Sequence, residues 1–278
     1  MRSTVAESID NDEYALEIRK SILSMIHDAG SGHCGGSLSV CEILIALYRY
    51  SMKHDPRNPD DPRRDRCILS KGHAAPALYA ILAKEGFFPE SELSSLRKFG
   101  SRLQGHPDMT KTPGVDVSSG SLGMGLSFAL GVALAGMLDE LEYSTYVITG
   151  CGELDEGQNW EALMAAAKYR ASRLILLVDY NKVQLDGRND EVMPLGDLPG
   201  KIRSFGWNVL ECDGHDIDAI VGRISAAKSF AAGPSAIICH TIKGKGVPFM
   251  EDTFDWHGKT LGDEDYRRAM TALSGSAR

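Results

Sequence analysis

Gly150-Cys151-Gly152-Glu153, followed about thirty residues later by Asp179-Tyr180-Asn181, places glycines, carboxylates and a carboxamide where a diphosphate and a divalent cation could be held. Glycines let backbone N–H groups approach a phosphate closely, and side-chain oxygens suit a hard cation such as Mg2+. The run Thr145–Thr149 is β-branched and ends in glycine, which predicts a buried strand opening into a tight turn. An alanine-rich helix is expected over residues 160–169, and Leu174–Val178 reads as a second buried strand with Asp179 just past its end. Both clusters then fall at the carboxyl ends of neighbouring parallel strands, where open α/β sheets bind ligands.

Four histidines sit in glycine-bearing loops: His33 in Ser31-Gly-His-Cys-Gly-Gly36, His73 in Ser70-Lys-Gly-His73, His106 after Gln104-Gly105, and His257 before Gly258. Taken singly, each reads more readily as a solvated or capping histidine. Four loops of the same kind point to a shared site, and imidazole exchanges protons around neutrality. Their spacing is too wide for a zinc motif. The glycine-rich entry Ser119–Gly125 leads into an apolar helix, and Thr241-Ile-Lys-Gly-Lys-Gly246 reads either as a phosphate-facing loop or as a solvated one.

The elements that must position these groups alternate in type. A helix is expected over 13–29 and another opening at a capping box, Ser39-Val-Cys-Glu42, and running through Tyr48. Strands follow at 67–70, 207–211 and 235–239, with helices at 74–84 and 216–230. The expected fold class is therefore α/β, a mostly parallel sheet with helices on both faces. Residues 1–11 form a polar tail, and 12–278 make one domain without an internal repeat.

A length of 278 residues, a net charge of −8 and six cysteines without a C-x-x-C pair fit a reduced, cytoplasmic protein. They disfavour a nucleic-acid or anionic-membrane role. The N-terminus lacks the apolar core of a signal peptide, and the apolar stretch 122–138 is too short and glycine-rich to span a bilayer.

The block Gly150-Cys-Gly-Glu-Leu-Asp-Glu-Gly-Gln-Asn-Trp-Glu-Ala162, closed by Asn181, resembles the thiamine-diphosphate motif of the transketolase family, Gly-Asp-Gly-Glu-Leu-x-Glu-Gly-x-x-Trp-Glu-Ala with Asp-x-Asn. The likeness runs from about residue 12 to residue 258 and takes in all four histidine loops. It implies a diphosphate-binding domain with thiamine diphosphate and Mg2+ as cofactors. Gly120 and Leu122 would line the aminopyrimidine, the Leu122 carbonyl accepting from its amine. Gly150, Gly152, Glu153, Asn181, His73 and His257 would contact the cofactor. His33 and His257 would move protons on substrate hydroxyls, and His106 would hold the terminal hydroxyl of the donor sugar.

The resemblance also implies metal ligation by Asn181 and Val183, with Cys151 standing where the family places an aspartate. Magnesium prefers oxygen to thiolate, so the site is weakened unless Glu153, Asp155 or a water substitutes; alternatively Cys151 simply packs as a small apolar residue. Glu156 reads equally as a helix N-terminal acid or as a group that reaches toward the second active site of an assembly.

The pyrimidine-binding domain of such enzymes, with its catalytic glutamate, has no counterpart in these residues. The resemblance implies the N-terminal subunit of a split transketolase, acting on sugar phosphates with a pyrimidine-domain partner subunit, in a heterotetramer. Other readings are a subunit of a deoxyxylulose-phosphate synthase or of an E1 component, or a non-catalytic paralogue with a weakened metal site.

Overall fold

Apolar runs that end in glycine or a carboxylate become the strands of one parallel sheet in the computed structural model, which describes residues 10–275. Among these residues five strands pair in the order β1-β2-β3-β5-β4, with β1 at Arg66–Leu69, β2 at Thr145–Gly150, β3 at Leu174–Tyr180, β4 at Asn208–Asp213 and β5 at Ser235–His240. All pairings are parallel. The central strands carry little polar alternation because both faces are covered. Tyr146, Ile148, Ile175, Leu177 and Ile237 face one apolar layer; Val147, Leu176, Val178 and Ile238 face the other.

The first layer is supplied by α1 (Asn11–Ala29), α3 (Cys41–Ile45), α4 (Ala75–Lys84) and α9 (Ile217–Ser229). The second is supplied by α5 (Gly125–Leu138), α6 (Gly157–Lys168) and α8 (Leu198–Ser204). No helix among the described residues is long and apolar enough to cross a membrane. The expected N-terminal tail lies outside the described residues except for positions 10 and 11, and Asn11 already opens α1.

Two local expectations fail. Ser39 does not cap a helix: it ends α2 (Cys34–Ser39), and α3 starts after Val40 without a side-chain cap. The Ser39 hydroxyl instead donates to Asp179 Oδ2 at 2.6 Å. Glu42 accepts from Arg19 at 2.6 Å and contacts His215 Nδ1 at 2.9 Å. These buried long-range partners outcompete the local cap. The chain also makes a helix from Cys34-Gly-Gly-Ser-Leu-Ser39, a poor helix former by propensity, because every residue of it is buried and packing overrides propensity.

Candidate active site

The loops that leave the carboxyl ends of β1, β2, β3 and β5 converge, and α2 closes the same corner. Asp179, at the end of β3, is fully buried. Its carboxylate accepts from Lys71 Nζ at 2.5 Å, from Ser39, from the Thr241 hydroxyl and from Asn181 Nδ2 at 3.4 Å. Burial alone would raise its pKa, but the Lys71 ammonium and the hydroxyl bonds hold it below the ordinary carboxylate value. Lys71 also donates to the Gly36 carbonyl at 2.9 Å, which ties α2 to the sheet.

Beside this pair stand three imidazoles from three distant segments. Ring centroids lie 5.2 Å apart for His33 and His73, 5.6 Å for His33 and His257, and 5.1 Å for His73 and His257. Burial, then the neighbouring cations, lowers all three: His33 to about 4, His257 to about 3, and His73 well below its ordinary value. These shifts hold them in the neutral form. Glycine at position 36 suits the approach, since a Cβ there would stand 3.2 Å from His73 Nε2. His106 packs against Gly120, and burial with Arg97 nearby lowers its pKa as well. Arg97 donates to Ser31 Oγ at 3.1 Å, and its charge is felt at both His33 and His106.

Lys243 is the second cation of the corner. It is 1% exposed, and its ammonium donates to the Val183 carbonyl at 3.1 Å, the Gln184 carbonyl at 2.7 Å and His257 Nδ1 at 2.8 Å. Burial, then Lys71, lowers its pKa to about 8.

The residues picked from sequence do not share one role. Glu153 is buried and spent on the turn itself: it accepts from Ser70, from Gly123 N–H at 2.9 Å and from Gly150 N–H at 3.1 Å. Asp155 is exposed and holds Gln184 Nε2 at 2.7 Å. Cys151 is buried; its thiol faces Asn181 Oδ1 at 3.7 Å and accepts from Lys182 N–H at 3.2 Å. Asn181 Oδ1 also accepts from Val183 N–H at 3.1 Å. Glu156 lies exposed at the N-cap of α6 and makes no side-chain capping bond. Nearby, Leu122 (37%) and Phe128 (49%) are exposed at the start of α5.

A family model described as the thiamine diphosphate binding domain of transketolase matches residues 11–276. The chain belongs to the transketolase family. It is 48% identical, over 96% of this chain and 97% of the relative, to a 6-deoxy-6-sulfo-D-fructose transketolase subunit from Clostridium sp. strain MSTE9. It is 38% identical, over 92% of this chain and 91% of the relative, to an apulose-4-phosphate transketolase subunit of Phocaeicola vulgatus. Among solved structures, a transketolase from Pichia stipitis in complex with sedoheptulose-7-phosphate superposes with a TM-score of 0.90 at 31% identity. That alignment covers 95% of this chain but 40% of the yeast one. The chain is thus the length of the bacterial subunits and about two fifths of a full transketolase.

The corner fits thiamine diphosphate. His33 Nδ1, in the imidazole cluster, and Ser119 Oγ, against Gly72 beside His73, are buried without hydrogen-bonding partners, as polar groups that a ligand would meet are. Magnesium is a different case. Cys151 offers sulfur where a carboxylate is needed, the Val183 carbonyl already receives the Lys243 ammonium, and Glu153, Asp155 and Asp179 are all committed elsewhere. Of the groups that could substitute for the missing carboxylate, Glu153 is held by the turn and Asp155 by Gln184, which leaves water.

Lys71, Lys243 and Arg97 carry the positive charge of this site; sequence reading passes over Lys71 and Arg97 and leaves the Lys243 loop open between a phosphate-facing and a solvated role. Lys71 lies inside the Ser70-Lys-Gly-His73 motif, and a lysine between a strand end and a histidine is the available signal.

Proposed function

We propose that this chain is the N-terminal subunit of a split transketolase that moves a two-carbon ketol unit from a ketose phosphate to an aldose phosphate. Residues 12–278 act as one diphosphate-binding domain. The observation that carries the reading is the convergence of His33, His73 and His257 beside the Lys71–Asp179 pair in a chain as long as named transketolase subunits.

Thiamine diphosphate, when bound, supplies the electron sink for cleaving the carbon–carbon bond beside a ketone. The chain's own residues prepare that chemistry. Gly120 and the Leu122 carbonyl line the aminopyrimidine. Gly150, Gly152, Asn181, His73 and Lys243 surround the diphosphate, and Glu153 keeps the Gly123 and Gly150 turns in register for it. Neutral His33 and His257 accept and return protons at the substrate hydroxyls, and His106 holds the far hydroxyl of the donor. Burial of the three imidazoles keeps water from that proton traffic. Magnesium has no part in this reading, because the Cys151 corner does not suit it.

The partner is a pyrimidine-domain subunit that supplies the other wall of the site, and two such pairs form a heterotetramer. The exposed Leu122 and Phe128, on either side of the start of α5, together with the exposed Glu156 whose Cβ lies against Gly123, form the surface for that assembly. The enzyme works in the cytoplasm, without nucleic acid or membrane.

The test is reconstitution. Ketol transfer should be absent from this chain alone and appear when the pyrimidine-domain subunit is added; a mixture that binds thiamine diphosphate but never transfers a ketol unit would favour the non-catalytic paralogue.

A further inference from the structure

We infer that the Lys243 ammonium stands in for the divalent cation of this site, so that the chain binds thiamine diphosphate without a metal ion. The inference rests on the cofactor assignment above and goes beyond it in naming what neutralises the diphosphate.

Three observations converge on one corner. The first is charge. A carboxylate is lost at Cys151, and the groups left around it are neutral: a buried thiol, the Asn181 amide oxygen and the Val183 carbonyl. Asn189, buried beside the thiol, adds an amide but no charge. A hard divalent cation draws its affinity largely from charged oxygens; the diphosphate brings its own, but the protein adds no free carboxylate here, because Asp179, the one beside Asn181, is paired with Lys71.

The second is position. The Val183 carbonyl, which the family resemblance assigns to the metal, accepts instead from Lys243 Nζ at 3.1 Å, and the neighbouring Gln184 carbonyl accepts at 2.7 Å. A cation therefore does stand there, and it is part of the chain. Its stem is pressed in place by α2: a Cβ at Gly35 would meet Lys243 Cγ at 3.0 Å and Cε at 3.1 Å, and Gly244 N–H donates to the Gly35 carbonyl at 3.0 Å.

The third is lack of balance. Among the described residues Lys243 has no carboxylate within ion-pair distance, while Lys71 in the same site is matched by Asp179. A buried charge left without a counter-ion is costly, and an anion brought by a ligand relieves that cost. Of the groups thiamine diphosphate presents, the diphosphate is the anionic one, and an ammonium binds phosphate as a point charge.

The experiment is calorimetric titration of thiamine diphosphate into the chain in complex with its pyrimidine-domain subunit, in EDTA and in magnesium. The expected result is the same affinity, within about twofold, in both buffers. Lys243→Met should weaken binding in EDTA by about tenfold or more, the scale of one lost charge-assisted hydrogen bond. Lys243→Arg, which keeps the charge, should recover part of it, and melting curves confirm that both variants fold. Cys151→Asp should make binding respond to magnesium by a similar factor.

Binding that EDTA abolishes and magnesium, manganese or zinc restores would overturn the inference, and so would a Lys243→Met complex that binds in EDTA as well as the unaltered one. Absence of binding in every buffer, by the unaltered complex and by Cys151→Asp alike, would overturn the cofactor assignment itself and this inference with it.

Discussion

Two buried lysines share one site and differ in what they face. Lys71 meets Asp179 at 2.5 Å, with the Ser39 hydroxyl on the same carboxylate, so its charge is balanced inside the fold. Lys243 meets two carbonyls and a neutral imidazole, so its charge is hydrogen-bonded but not balanced. The first arrangement holds β3, the β1 loop and α2 together. The second leaves a positive charge to be met from outside. The contrast separates structure from function within one corner: a matched pair is part of the scaffold, and an unmatched buried cation marks where an anion goes.

The contrast can be broken most severely at Lys71. Lys71→Met should leave Asp179 as an unpaired buried charge and cost about 3–5 kcal/mol in urea unfolding, with Asp179→Asn in the same chain recovering much of it. A loss under about 1 kcal/mol, the scale of an exposed pair, would mean that the pair is not structural. Ser39→Ala removes a hydroxyl from that carboxylate and should cost about 1.5–3 kcal/mol, as bonds to charged groups do. Helix content should hold, since Ser39 is not a cap; a selective drop in helical signal would restore the capping-box reading.

Acid sharpens the picture of neutral imidazoles around Lys243. His33 and His257 have folded-state values of about 4 and about 3, below the ordinary 6.5. The unfolded chain therefore takes up protons first as the pH falls. Their contribution to stability is intact above about 6.5 and is lost progressively toward about 4 and then about 3. Melting temperature followed against pH should fall through that window, and His33→Gln should flatten the slope; an unchanged slope would contradict the buried, neutral assignment.

The smallest effect is expected at Lys243 itself. Lys243→Met should change the stability of the ligand-free chain by no more than about 1 kcal/mol, since removing an unmatched buried charge offsets the lost hydrogen bonds. A loss as large as that of Lys71→Met would show that the two lysines are alike.

Much of this molecule is legible in the residues. The β-branched runs ending in Gly150 and Asp179 mark the strand ends, because a parallel sheet covered on both faces needs continuous apolar strands. The four histidine loops are visible because glycine beside histidine is a local pattern, although only His73 follows a strand end. What stays hidden is long-range. Glu42 looks like a cap partner for Ser39, three residues away, yet each finds a partner more than twenty residues off. Helix α2 is invisible because its glycines are poor helix formers that only tertiary packing makes helical. α10 (Asp263–Gly275), charged and amphipathic, is read easily only once α1 is seen to receive it, through Ser24 and Tyr266 at 3.0 Å. The role of Lys243 is the hardest to see, since a lysine in a glycine-rich loop looks the same solvated or buried.

The most direct test is a crystal structure of the heteromeric complex grown with thiamine diphosphate and manganese, with anomalous scattering collected at the manganese edge. The account predicts Lys243 Nζ within hydrogen-bonding distance of a diphosphate oxygen and no anomalous peak between Cys151 and Asn181. A manganese peak coordinated by Asn181 and the Val183 carbonyl, with Lys243 turned away, would contradict it.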